Sequence, residues 1–68
     1  MKETDIKVPI PQKLTLTIPE AAAYSNIGVN KISQMLRKPD CSFVLFVGTK
    51  RLVKRREFEE FIHGHSVI

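Results

Sequence analysis

Six side chains that carry positive charge or make directional hydrogen bonds fall within residues 30–38: Asn30, Lys31, Ser33, Gln34, Arg37 and Lys38. A side-chain amide can pair with the N6 and N7 edge of adenine, and a lysine or arginine with O6 and N7 of guanine. Asn30, Lys31 and Gln34 are therefore candidate base readers, and Ser33, Arg37 and Lys38 candidate phosphate contacts. Val29, Ile32 and Leu36 recur at helical spacing among them. A helix over 29–38 would turn these three inward and the polar set outward. Such a helix, braced by a partner, is a common tool for reading the major groove of DNA. The plainer alternative is an amphipathic helix with a solvated face.

The elements that would position this helix can be read on either side of it. Thr17 and Glu20 have the spacing of a capping box, with Pro19 tolerated in a first helical turn. The bias that Pro19 puts on Ile18 would also allow a cap one residue later. Ala21, Ala22 and Ala23 favour a first helix, whose inner side takes Ile18, Ala22 and Ala21. Asn26-Ile27-Gly28 reads as the turn, with Gly28 supplying a positive φ. Thr17 and Tyr24 are further candidate phosphate contacts; for Tyr24 a rim aromatic is the equal alternative.

Pro39-Asp40 ends the second helix. Residues 43–47 (FVLFV) and 51–55 (RLVKR) are strand-like and flank Gly48-Thr49-Lys50, which predicts a β-hairpin with a three-residue turn. The apolar first strand is expected to pack and the basic second strand to face anions. This is the layout of a wing: Thr49, Lys50 and Arg51 at its tip would contact DNA, with Lys54 and Arg55 as further candidate phosphate contacts. A hairpin whose charged edge merely discourages aggregation is the alternative. Residues 56–63 form the last helix, with Phe58, Phe61 and Ile62 as core. Residues 1–13, with prolines at 9 and 11, read as a flexible N-terminal arm. Residues 14–63 are expected to form the folded unit, and 64–68 a C-terminal tail.

Charge placement agrees with a polyanionic partner. The net charge is +4, yet residues 28–56 hold eight of the eleven basic residues and one acid, a local excess of +7. Residues 57–68 carry −3. Within 68 residues there is room for one small core and no deep substrate pocket. No Gly-rich phosphate loop, paired-cysteine motif or HExxH arrangement is present. Cys41 and His63 lack an orienting third group, and His63 with His65 make a poor zinc set. No catalytic residue, metal ligand or cofactor is expected. One free cysteine and no stretch long enough to span a membrane suit a soluble, cytoplasmic chain.

The order of short strand, capped helix, turn, basic helix and basic hairpin before an aromatic helix resembles the excisionase family of winged-helix proteins. That family is related to the DNA-binding domain of MerR-type regulators. The resemblance rests on LTIPEAAAYSNIGVNKISQML and VGTKRLVKRREFEEFI, and covers about residues 14–63. The opening MKETDI with LTLTIPEA, and the length, look especially like excisionases of conjugative transposons. Ser33 and Gln34 stand where many members place a more basic pair, so base contacts can differ. The long dimerisation helix and effector domain of MerR proteins are absent from the sequence, so effector sensing is not expected.

The resemblance implies an α+β fold: a small winged helix-turn-helix of about three short helices with a two- or three-stranded β wing. It also implies a non-catalytic recombination directionality factor that binds and bends DNA near the ends of an integrated mobile element. Its partners would be double-stranded DNA, a tyrosine recombinase (integrase) and further copies of itself associating cooperatively on DNA, with no membrane. A small winged-helix transcriptional regulator is the alternative. A basic RNA-binding protein is disfavoured, because no exposed aromatics are expected in the basic region for base stacking.

Overall fold

The computed structural model describes residues 8–68. Lys2 and Lys7 of the expected arm lie outside the described residues. A single 3-10 turn, Ile10–Gln12, precedes the first strand, and Ile10 packs against the core. Lys13 pairs with Glu20. The two-residue strand β1 (Thr15–Leu16) follows.

Helix α1 (Ile18–Ser25) starts as its sequence dictates. Thr17 is the N-cap: its Oγ1 accepts the Glu20 N–H at 3.2 Å, and Glu20 Oε1 accepts the Thr17 N–H at 3.0 Å. Both halves of the capping box are made, which satisfies two backbone donors that the helix itself cannot. The reversal after α1 differs from expectation. Asn26, not Gly28, takes the left-handed conformation, with φ 64°, and its N–H donates to the Ala22 carbonyl at 2.8 Å. Asparagine tolerates this region better than most residues with a Cβ. Gly28 has φ −63° and is instead the N-cap of α2 (Val29–Leu36).

Helix α2 ends two residues earlier than the periodicity suggests. Pro39 disfavours helical angles at Lys38, so Arg37 becomes the C-cap and Lys38 lies beyond it. The inner side also differs: Ile32, Leu36 and Met35 are buried, whereas Val29, in the first turn, is 45% exposed.

The hairpin comprises β2 (Val44–Val47) and β3 (Lys50–Lys54), paired from Val44↔Val53 to Val47↔Lys50. The connection is therefore two residues, Gly48 and Thr49. Lys50 belongs to the strand and not to the turn. Gly48 has φ +62° and Thr49 a negative φ, the sign pattern of a type II′ turn, whose twist matches that of the strands. Strand β1 pairs with the other side of β3, giving a three-stranded antiparallel sheet in the order β1-β3-β2.

That order corrects the expected roles of the two hairpin strands. The basic strand β3 is central and supplies the fully buried Val53. The apolar strand β2 is an edge, with Leu45, Phe46 and Val47 exposed. Phe43, just before β2, is the residue that reaches the core.

Helix α3 (Arg55–His63) begins one residue before its expected start and closes the domain. The core is Leu16, Ala21, Ile32, Met35, Leu36, Phe43, Val53 and Phe58. The Phe43 ring lies 5.2 Å from Phe58 and 5.1 Å from Phe61, tilted by about 55° to each, as aromatic quadrupoles prefer. In the tail, His65 stacks on Phe61 with centroids 4.2 Å apart. Among the described residues, three α-helices and a three-stranded sheet make a small α+β domain of winged-helix type.

Candidate nucleic-acid interface

Helix α2 separates its two faces sharply. Ile32, Met35 and Leu36 fix it to the core, so Asn30, Lys31 and Gln34 are turned outward and exposed. Ser33 is half-buried at the boundary. Arg37 and Lys38 are exposed just past the helix end. Asn30, Gln34 and Arg37 follow one another at four- and three-residue steps, which places them in a row along the outer side. Neither an acidic residue nor a side-chain cap occupies the first turn of α2. The positive end of its dipole therefore stays unneutralised beside Asn30 and Lys31.

The wing carries Thr49 in the turn and Lys50 and Arg51 at the start of β3, all exposed. The Arg51 guanidinium lies 5.8 Å from the centre of the Phe46 ring, its cross-strand neighbour. Lys54 is half-buried at the base of β3, opposite Thr15. Charge and hydrogen-bonding capacity thus occur on two separate elements, the end of the helix pair and the wing. That arrangement suits contact with a long polyanion at more than one point.

The remaining sequence candidates are engaged within the protein. Thr17 holds the capping box through the lone pairs of its oxygen. The Tyr24 hydroxyl donates to Glu59. Arg55 donates from Nε to the Lys13 carbonyl at 2.7 Å and pairs through its Nη1 with Glu59 at 3.0 Å. The bond from Tyr24 holds the Glu59 carboxyl below its ordinary pKa, and Arg55 adds to the effect. The same bond raises the Tyr24 pKa, because it would be lost on ionisation. For Tyr24 and Arg55, a phosphate contact competes with this network. Sequence reading missed the network as a whole, although the Arg55–Glu59 spacing of four within a helix was a visible sign of one edge of it.

Glu20 is the other perturbed carboxylate. Its pKa is lowered first by the hydrogen bond from Lys13, then by that from the Thr17 backbone. Among the described residues, no three His, Cys, Asp or Glu side chains come together as a metal ion would require. No helix among them is long and apolar enough to cross a membrane.

Two comparisons with known proteins bear on this surface. The family described as the excisionase from transposon Tn916 matches residues 1–68. A curated relative, the excisionase from transposon Tn916 of Streptococcus agalactiae serotype V, is 38% identical over 63 residues. The matched stretch covers 91% of this chain and 91% of that protein. No solved structure matches the chain significantly.

Proposed function

The chain belongs to the family of the excisionase from transposon Tn916, and from that membership we propose how it works as an excisionase. Helix α2 enters the major groove, where Asn30, Lys31 and Gln34 meet base edges and Ser33, Arg37 and Lys38 hold phosphates. Thr49, Lys50 and Arg51 of the wing grip the neighbouring minor groove or backbone, with Lys54 beside them. The folded unit of residues 14–63 carries these contacts. The protein catalyses no bond change. Several copies bind near the ends of the integrated element in the bacterial cytoplasm, bend the DNA and help a tyrosine integrase to assemble the excisive complex.

The observation that carries this reading is the outward row of Asn30, Gln34 and Arg37 on a helix whose opposite side is sealed in the core. Bending DNA by tens of degrees costs about 1–6 kcal/mol, which several simultaneous phosphate contacts can offset. The test is a plasmid carrying the two element ends, incubated with integrase in the presence and absence of this protein. Excision that depends on the protein, and falls when Arg37 and Arg51 are both replaced by Ala, supports the reading. Equal excision with and without the protein refutes it. A single complex at a promoter, with altered reporter output and no integrase, would show a regulator instead.

A further inference from the structure

Phe46 is 60% exposed, the most exposed aromatic side chain among the described residues. Its position on the sheet follows from the register. Leu16, Val53 and Val44 lie side by side on one face and are covered by the helices. Side chains alternate along a strand, so Arg51 and Phe46 continue that same face outward. The core stops at Val44 and Val53; beyond them the Arg51 guanidinium lies over the ring, which stays 60% exposed.

An edge strand of this kind ordinarily carries charge or proline, which keeps it soluble and unpaired. Strand β2 carries neither: Leu45, Phe46 and Val47 are all apolar and 37% exposed or more. The cations stand instead on β3, immediately across from them, with Lys50 opposite Val47 and Arg51 opposite Phe46. An apolar prow flanked by cations is what a duplex wedge needs. The cations hold the two phosphate backbones while an apolar side chain enters between base pairs from the minor groove.

We propose that Phe46 is such a wedge: it enters the minor groove under the wing and unstacks one base step, and this kinks the DNA. The ligand feature it selects is a deformable pyrimidine–purine step, TA or CA/TG, which unstacks at least cost. Arg51 stacks on the ring in the free protein and moves to the flanking phosphate when the ring inserts. The inference rests on the reading of the wing as a DNA contact, and it supplies the source of the bend.

The test uses the full chain and duplexes spanning the element ends, with 2-aminopurine placed at successive positions across the protected site. Wild-type protein is expected to raise the fluorescence several-fold at one pyrimidine–purine step and at no other. Phe46→Ala should abolish that rise, shrink the bend measured by circular permutation and weaken binding about tenfold. Phe46→Leu, which keeps an apolar wedge, should retain most of the rise. Arg51→Ala should weaken binding and keep the rise. A role confined to hairpin stability would move the melting temperature of Phe46→Ala without the fluorescence pattern. Tight wild-type binding with no rise at any position overturns the wedge and leaves the DNA-binding reading intact. So does Phe46→Ala that binds and bends like wild type, in which case the ring serves a protein contact. Wild-type protein that binds no element-end duplex overturns both.

Discussion

The hydroxyl of Tyr24 donates to the carboxylate of Glu59, 35 residues further along the chain, and so ties α1 to α3. Arg55 joins the same carboxylate from the first turn of α3 and reaches back to the Lys13 carbonyl. Three segments distant in sequence thus meet around one acidic side chain on the surface. Tyr24→Phe keeps the ring and removes only this bond. It should lower the melting temperature slightly and leave duplex affinity unchanged. A drop in affinity with an unchanged melting temperature would return Tyr24 to the phosphate contacts.

Acid should weaken the fold through two carboxylates. Glu20 and Glu59 both have folded-state pKa values below their ordinary 4.5. Their contributions are complete above the unfolded value and are lost as pH falls through the folded values. Tyr24 has the opposite sign: its pKa is raised above 10.0, so its share is complete below that pH and lost as pH rises past it. Melting temperatures from about pH 6 down to about pH 3 should fall less for a Glu20→Gln, Glu59→Gln double variant than for wild type. Parallel curves would remove both carboxylates from the account. Glutamine at position 20 still completes the capping box, so the comparison isolates charge.

The turn between the two helices makes a contrast between neighbours. Asn26 holds the left-handed conformation, so Asn26→Val should cost about 1–2 kcal/mol and Asn26→Gly little. A Cβ at Gly28 would meet nothing within 4 Å, and its φ is ordinary. Gly28→Ser should therefore fold normally and add a few tenths of a kcal/mol through a side-chain cap on α2. Urea denaturation of the three variants decides it; a large loss from Gly28→Ser would mean that the turn depends on glycine after all.

On DNA, the polar row of α2 and the wing should divide into two classes. Arg37→Ala and Arg51→Ala are each expected to weaken binding to every sequence and reduce the salt slope by roughly one. Asn30→Ala and Gln34→Ala should instead relax preference at one position, by about 1–3 kcal/mol for the base concerned. Titrations at two salt concentrations, on element-end and random duplexes, separate the classes. A uniform loss from Gln34→Ala would make it a backbone contact.

Local rules made much of this fold readable in advance. Thr17 and Glu20 cap a helix through contacts three residues apart, so their spacing is enough to recognise them. Ile32 and Leu36 fix which side of α2 faces outward, and that alone exposes Asn30, Lys31 and Gln34. The failures share a cause in contacts between distant segments. FVLFV looks like the buried strand and RLVKR like the exposed one, until β1 pairs with β3 and makes the basic strand central. Gly28 draws attention as the flexible residue, while the local hydrogen bonds of α1 place the reversal on Asn26. The Tyr24–Glu59 bond joins helices whose packing no periodicity announces.

Strand order also sets where this protein is vulnerable. β1 is two residues long, yet it covers the open side of β3, through Thr15 opposite Lys54 and Leu16 opposite Val53. The Leu14 carbonyl accepts the Arg55 N–H, and the Leu16 side chain is fully buried. A protease that removed residues 8–16 would take no side chain from the outer face of α2 or from the wing tip. It would nonetheless strip the central strand of a neighbour and uncover an adhesive backbone edge. The lifetime of the folded form can thus be ended by one cut that spares the outer face of α2 and the wing tip.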